Sequence, residues 1–190
     1  LKASRFATNR KVLADAGESV ERFLSSGIDE LGPKLGPVLW EFARTKRFEP
    51  EDFEAFLKLL PRHIGKLPLR HVLDVRHPSF MVPEFLALAR RYEMACVFTD
   101  EPELPSFADR TASFVYARYM NARHDCETGY PEQDIDAFAR RAHAWAKGQR
   151  PHDVPYVDTH DHAPAAAHCD VFVYMINGAK ERAPAAAMAL

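Results

Sequence analysis

The sequence predicts an α/β fold in which parallel strands alternate with helices, and it favours a TIM (β/α)-barrel. Short apolar segments of strand length alternate with segments whose apolar residues recur at helical spacing. This alternation is typical of a parallel sheet with crossover helices, which either closes into a barrel or forms an open, doubly wound sheet. Neither GxGxxG nor GxxxxGK(S/T) follows any predicted strand. Because these fingerprints are common among open nucleotide-binding sheets, their absence favours the barrel.

Composition limits the classes of protein that this chain can belong to. Its 190 residues, of which 47% are hydrophobic, suffice for the core of one domain. The formal charge of -2 argues against nucleic acid as a partner. The three cysteines include no CxxC pair, so we expect no disulfide framework and a cytoplasmic location. No apolar stretch approaches the ~20 residues that cross a bilayer, so we expect no membrane contact.

The first half of the chain contains two predicted strands, each followed by a helix. A helix that Gly32 and Pro33 would end precedes them. Its expected apolar face consists of Val20, Phe23, Leu24, Ile28 and Leu31. Residues 37–42 are apolar and rich in strand formers, and a helix faced by Phe53, Phe56, Leu57 and Leu60 follows. The alternating segment 71–77 predicts the next strand, and Pro83 begins the helix after it.

The second half continues the alternation with one irregular connection. Strands are predicted at 95–100 and 114–118, and the proline-containing connection between them lacks a helical pattern. A helix between Pro131 and Gly148 follows, because apolar residues recur there at helical spacing. The proline- and histidine-rich residues 149–169 indicate an exposed loop. Residues 171–177 predict the last strand, and Pro184 opens an alanine-rich helix.

Five segments carry a resemblance to a known family. They are KASRFATN at 2–9, LGPVLWE at 35–41, DVRHPSF at 74–80, YAR at 116–118, and YMING at 174–178 followed by Ala183 and Pro184. In this order they resemble the YecE-like family, domain of unknown function 72, whose fold is a TIM barrel. The family usually has Thr-His at Thr8-Asn9 and HPSW at 77–80, and a glutamine followed by prolines where this chain has Glu41-Phe42-Ala43.

The resemblance also implies the domain organisation. The family's first two strands and most of its third have no counterpart in this sequence. A full TIM barrel typically needs about 250 residues, more than this chain supplies. We therefore expect residues 1–190 to form a single YecE-like TIM-barrel domain that is partial at its N-terminal side.

Candidate ligand-binding residues lie at the carboxyl ends of the predicted strands, where barrel sites are found. Arginine side chains there favour a small anionic ligand bearing a phosphate or a carboxylate, because guanidinium groups bind both in bidentate fashion. Tyr130 is included because it resembles a family position in the loop after the predicted strand 114–118. The predicted binding residues are Lys2, Arg5, Arg76, Arg118, Tyr130 and Asn177.

Candidate catalytic residues at the same strand ends suggest acid–base or hydrolytic chemistry. They are Glu41, Asp74, His77 and Asp100. The unperturbed pKa of histidine, about 6.5, suits proton transfer. A simpler reading has His77 fixing a turn while Ser79 caps the helix that begins near Pro83.

Three alternatives to this chemistry stay open. The carboxylates and His77 could hold a divalent metal, as in a phosphoesterase or nuclease-like barrel. No HxH or HExxH stands at a strand end, so the prediction assigns no metal ligand. The chain could instead bind a ligand or a partner without turnover. Ion pairs that seal the strand ends would explain the same residues structurally.

Overall fold

A computed structural model describes residues 1–160 and 168–190. The chain divides into two compact units, Leu1–Cys96 and Val97–Leu190. The helices are α1 (Arg5–Thr8), α2 (Gly17–Leu24), α3 (Pro50–Lys58), α4 (Pro83–Arg91), α5 (Glu132–Ala146) and α6 (Ala183–Ala189). The strands are β1 (Val38–Glu41), β2 (His63–Ile64), β3 (Leu67–Pro68), β4 (His71–Asp74), β5 (Ala95–Thr99), β6 (Phe114–Tyr119) and β7 (Asp170–Met175). Parallel strands and helices in both units confirm the predicted α/β class.

In the first unit, the parallel register of β1 and β4 sets the position of the candidate site. Glu41 pairs with Asp74 at the last position of both strands. Lys2 joins the same sheet through an isolated parallel bridge to Leu39. The first residues of β5 pair with β4 on its other side. Polar residues that are far apart in sequence are therefore neighbours at one edge of the sheet.

Aromatic side chains form much of the core of the first unit. Four aromatic side chains are at most 1% exposed: Trp40 in β1, Phe42 directly after it, and Phe53 and Phe56 on α3. Their rings meet edge-on or tilted, with the Phe42 and Phe53 centroids 5.1 Å apart. Such pairs contribute about 0.5–1.5 kcal/mol beyond the burial of their area. The apolar residues at helical spacing, Phe53, Phe56 and Leu57, form the buried face of α3, as predicted.

The second unit has its own parallel strands and core. Residues 97–99 of β5 pair with β6, and β6 pairs along its whole length with β7. Phe98, Tyr119, Phe138 and Trp145 are buried together, and the Tyr119 and Phe138 rings stack. Between Thr99 and Phe114 the structure has turns and irregular backbone only, as the missing helical pattern predicts.

The predicted helix over Val20–Leu31 is wrong in its second half. α2 ends at Leu24, and Gly27 adopts a left-handed φ of 86°, which an α-helix cannot contain. A 3-10 segment, Ile28–Lys34, follows it. Leu31 is 41% exposed and does not join a helical apolar face. The periodicity continued through a glycine turn, so apolar spacing alone overextended the helix.

Smaller differences concern strand ends and one hairpin. The strand predicted over 71–77 stops at Asp74, and the strand predicted over 171–177 stops at Met175. The antiparallel pair β2–β3, joined through Gly65 with φ 56°, was not predicted. Two-residue strands are too short to show a period of two. In the part of the chain that the structure describes, we find no helix with the length and apolarity needed to cross a bilayer.

Candidate functional site

A cluster of four charged residues, joined by hydrogen bonds and ion pairs, occupies the carboxyl ends of β1 and β4. Arg76 Nε donates to Asp74 Oδ1 at 3.2 Å, and Arg76 Nη2 donates to Asp74 Oδ2 at 3.0 Å. Arg76 Nη2 also donates to Glu41 Oε2 at 2.8 Å. Lys2 Nζ lies 3.7 Å from Glu41 Oε1. The structure therefore brings together Lys2, Glu41, Asp74 and Arg76, as strand-end reasoning predicts.

Burial makes Arg76 a fixed group of this cluster. Asp74 is 2% exposed and Arg76 is half-buried. Partial burial alone would lower the pKa of the Arg76 guanidinium, but the hydrogen bond and charge of Asp74, together with the charge of Glu41, raise it. Arg76 is therefore a permanent cation whose orientation is set by two carboxylates.

Arg76 and Lys2 retain donors that could contact a ligand. The hydrogen bonds of Arg76 use Nε and Nη2, and none links Nη1 to the residues that the structure describes. The Lys2 side chain is 53% exposed, so its ammonium group is accessible to solvent. Arg5 is also exposed, at the first residue of α1, with its guanidinium 6.0 Å from the Phe6 ring.

His77 fixes the chain after β4. Its Nδ1 accepts a hydrogen bond from Ser79 N at 3.1 Å, and Ser79 Oγ lies 2.9 Å from the same nitrogen. These contacts are the ones that the simpler reading of His77, as a turn-fixing residue, expects. The accompanying role for Ser79 is wrong, because Ser79 Oγ accepts from Phe48 N at 2.8 Å, and α4 begins after Val82 without a side-chain cap.

In the second unit, a carboxylate and a phenol meet after β5. Tyr130 Oη donates to Asp100 Oδ2 at 3.0 Å and accepts from Asn121 N at 2.9 Å. Met120 N donates to Asp100 Oδ1. Burial raises the pKa of Asp100, and the hydrogen bonds from Met120 and Tyr130 only partly offset that rise. Burial and the nearby Asp100 charge also raise the pKa of Tyr130.

The remaining predicted binding residues of the second unit differ in exposure. Arg118 is 9% exposed and pairs with Thr99 and Tyr174 in the strand register. Asn177 is exposed, has a left-handed φ of 59°, and lies beyond the end of β7. Asparagine tolerates that conformation better than most residues. Its amide Nδ2 contacts Met120 Sδ at 4.0 Å.

The alternative of a metal-dependent enzyme requires a cluster of side chains that can coordinate a metal ion. Within residues 1–160 and 168–190, no group of three or more His, Cys, Asp or Glu side chains is placed to hold a metal ion. Glu41 and Asp74 bind the Arg76 guanidinium instead.

Sequence reasoning missed a basic cleft in the first unit. Its cavity of about 480 Å³ is lined by residues 8–11, at the end of α1 and directly after it, and by residues of the loop after β1 between Ala43 and Glu49. Four cationic side chains line it: Arg10, Lys11, Lys46 and Arg47. These cations come from two segments that are about 35 residues apart in sequence, with no shared motif, so no sequence signal joined them.

Comparison with known proteins identifies the family. The family model described as "Protein of unknown function DUF72" matches residues 1–190. The chain belongs to the DUF72 family. The resemblance to YecE-like proteins, given by motifs at both ends of the chain, is thereby confirmed. A search of curated proteins gave no match.

Two solved structures of DUF72 family proteins are similar to this chain. One, from Enterococcus faecalis V583, is 19% identical with a TM-score of 0.66, and the match covers 100% of this chain and 72% of that protein. The other, from Thermotoga maritima MSB8, is 19% identical with a TM-score of 0.62, and the match covers 99% of this chain and 69% of that protein. At this identity the likeness concerns the fold.

Proposed function

We propose that this DUF72 protein binds a small carboxylate-bearing molecule at the carboxyl ends of β1 and β4. The observation that carries the proposal is the fixed orientation of Arg76, whose Nε and Nη2 are bound to Asp74 and Glu41 while Nη1 has no described partner. A cation held in place before binding loses little conformational entropy when a ligand arrives. Charge-assisted hydrogen bonds from guanidinium groups are among the stronger ones in proteins.

The charge balance of the cluster favours a singly charged ligand group. Lys2 and Arg76 supply two positive charges, and Glu41 and Asp74 supply two negative charges. Among these four side chains the charges balance, so a phosphate dianion would add two excess negative charges to them. A carboxylate adds only one negative charge. The exposed Lys2 ammonium group, 3.7 Å from Glu41 Oε1, can move towards the bound carboxylate.

The predicted catalytic residues receive different roles in this proposal. Glu41 and Asp74 orient Arg76, and His77 fixes the loop that follows it. For Asp100, which lies in the second unit, we propose proton transfer as a separate role that does not involve the ligand at β1 and β4. Its support is a partly buried carboxyl group that shares hydrogen bonds with Tyr130 and Met120. A raised pKa brings a carboxyl group nearer to the pH at which it exchanges protons efficiently.

We also propose that the strands of both units belong to one TIM-barrel domain over residues 1–190. Parallel pairing within each unit supports this, because parallel strands require crossover connections of the kind that α3, α4 and α5 provide. The fold similarity to the two DUF72 structures is consistent with it. Sites in such barrels lie at the carboxyl ends of the strands.

Native mass spectrometry of the protein purified from cells without chelator tests the binding proposal. We expect an organic-acid adduct on the wild type that is lost from Arg76→Gln, because a hydrogen bond to a charged group contributes about 1.5–3 kcal/mol, or roughly 10- to 100-fold in affinity. Arg62→Gln is the matched control, since Arg62 forms an exposed ion pair with Glu93 in the same unit.

A second variant guards against misfolding, because Arg76→Gln leaves the buried Asp74 carboxylate without its guanidinium partner. Lys2→Met removes an exposed ammonium group instead, and we expect it to weaken the adduct while the fold persists. An adduct equally abundant on wild type, Arg76→Gln and Lys2→Met would contradict the proposal, as would a wild-type protein that carries no acid.

A further inference from the structure

We propose that the basic cleft of the first unit is a separate site for the phosphate group of a small molecule. The cleft is lined by residues 8–11 and the loop from Ala43 to Glu49, and in the part of the chain that the structure describes neither Lys2 nor Arg76 lines it. It therefore differs in residues from the carboxylate site at the ends of β1 and β4, and the inference stands without that site.

The cleft has an excess of positive charge, unlike the strand-end cluster. Arg10, Lys11, Lys46 and Arg47 line it, against the single carboxylate of Glu49. Asp52 neutralises Lys46 through an ion pair of 2.8 Å. Counting both carboxylates, the surplus is about two positive charges, which matches the charge of about −1.5 to −2 on a phosphate monoester near neutral pH.

Two of the four cations are held in place by the protein. Arg10 Nε donates to Phe6 O at 2.9 Å, and Arg10 Nη2 donates to Ser19 Oγ at 2.8 Å. Lys46 Nζ donates to Lys11 O at 3.0 Å and to Asp52 Oδ2. Fixed donors favour binding because less conformational freedom is lost when the anion enters.

The other two cations are available for direct contact. Lys11 and Arg47 are exposed, and neither forms an ion pair with residues 1–160 or 168–190. The lining also includes the side chains of Thr8, Asn9 and Thr45, which can donate hydrogen bonds to phosphate oxygens. Two guanidinium groups, two ammonium groups and neutral donors around one cavity are the groups that recognise phosphate.

The size of the cleft and the charge of the chain favour a small phosphate ester over a nucleic acid. A volume of about 480 Å³ lies within the ~300–1,000 Å³ typical of small-molecule sites. The net charge of -2 gives the chain no general attraction to a polyanion. The four cations surround a single small cavity, as a site for one phosphate group requires.

Isothermal titration calorimetry with inorganic phosphate and with phenyl phosphate tests this site on the whole chain. We expect the double variant Lys11→Gln/Arg47→Gln to bind both probes at least tenfold more weakly than the wild type. Arg62→Gln/Lys66→Gln removes the same two charges from exposed positions around the β2–β3 hairpin and should bind as the wild type does. The strand-end residues Lys2 and Arg76 are unchanged in both double variants, so a loss confined to Lys11→Gln/Arg47→Gln belongs to the cleft.

The comparison of probes decides the source of the phosphate. Tighter binding of phenyl phosphate than of inorganic phosphate supports a phosphate ester, whereas equal binding supports free phosphate in the same cleft. Equal affinities of the wild type and the Lys11→Gln/Arg47→Gln variant, with circular dichroism showing both folded, would overturn the assignment. So would an oligothymidylate that binds more tightly than phenyl phosphate and with a steep salt dependence, because that outcome identifies a nucleic-acid surface.

Discussion

Gly178 shows how one residue determines the course of the chain after β7. It has a left-handed φ of 58° and follows Asn177, which has φ 59°. A Cβ atom at Gly178 would clash with Ala122 O and would lie 2.6 Å from Ala122 N. The next residue, Ala179, donates from its backbone N to Ala122 O at 2.8 Å. The glycine of the YMING motif therefore permits close packing of two backbone segments.

We predict that Gly178→Ala destabilises the protein far more than Gly65→Ala. Gly65 has a similar φ of 56°, but a Cβ atom there would meet nothing within 4 Å. The cost at Gly65 is then the left-handed strain alone, about 1–2 kcal/mol. At Gly178 the backbone clash adds to that strain, and we expect a total above about 3 kcal/mol. Urea denaturation measures both, and equal losses would mean that the Ala122 contact is unimportant.

Individual site residues were predictable where strand register joins them. Glu41, Asp74 and Arg76 lie at the ends of neighbouring parallel strands, so alternation of strands and helices sufficed to group them. The basic cleft was not predictable, because Arg10 and Lys46 belong to loops and neither loop has a periodic pattern. Their proximity depends on the packing of α1 and the loop after β1, which no local spacing specifies.

Among the elements, α2 and the 3-10 segment before it depend on a cap supplied from elsewhere in the chain. The 3-10 segment Leu13–Ala16 begins after Val12, which provides no side-chain cap. Asp52 on α3 supplies it, because its Oδ1 accepts from Leu13 N at 2.7 Å and from Ala14 N at 3.0 Å. Burial alone would raise the pKa of Asp52, but the hydrogen bonds and charge of Lys46 and the two backbone donors lower it.

We predict that Asp52→Ala lowers the free energy of unfolding by about 2–4 kcal/mol. The substitution leaves two backbone N–H groups without their acceptor and the mostly buried Lys46 ammonium without its counter-ion. Asp52→Asn should lose less, since an amide oxygen still accepts a hydrogen bond. Glu51→Gln, at the exposed neighbouring position, is the control. Thermal and urea unfolding check the order, and an Asp52→Ala protein as stable as Glu51→Gln would refute the capping role.

The elements themselves were predictable to the extent that apolar periodicity controls them. β1, β4, β5, β6 and β7 all occur where strand-like runs predicted them. The first four of these strands are largely buried, and buried parallel strands require continuous apolar residues. The break between α2 and the 3-10 segment depends on the left-handed Gly27, and apolar spacing does not detect a backbone angle. A glycine in the sequence can be tolerated within a helix or can end it, and the sequence does not show which backbone angle Gly27 adopts.

For the whole molecule, the pH dependence of stability is the sum of contributions from several groups. Some of these groups stabilise the fold more at high pH and others more at low pH. Burial lowers the pKa of His71, against a smaller rise from its hydrogen bond to Pro61 O. The folded state therefore favours neutral His71, and stability falls as pH drops below about 6.5, where the unfolded chain binds a proton first. Asp52 also makes stability fall as pH drops, but only below about pH 3.8, because its pKa is lowered in the folded state. Asp100 has the opposite sign, because its raised pKa makes stability fall as pH rises above about 3.8.

The hydrogen bonds of His71 explain why protonation opposes folding. Trp40 Nε1 can only donate, so His71 Nδ1 must accept at 3.1 Å, and Nε2–H donates to Pro61 O at 2.8 Å. Protonation of Nδ1 would break the first bond inside a core in which His71 is 3% exposed and Trp40 fully buried. Because burial lowers the pKa of His71, the folded protein binds this proton only below the ordinary range, and Trp40 would then lose its acceptor beside a buried charge.

We therefore predict that the free energy of unfolding falls between pH 7.5 and pH 5.5, with a slope no steeper than the one-proton limit of about 1.4 kcal/mol per pH unit. His71→Gln removes the titrating group and should flatten this slope, even if the variant is less stable at every pH. His143→Gln, on the exposed side of α5, should keep the wild-type slope. Urea denaturation at four pH values measures all three proteins. A slope that persists in His71→Gln would place the titrating group elsewhere in the molecule.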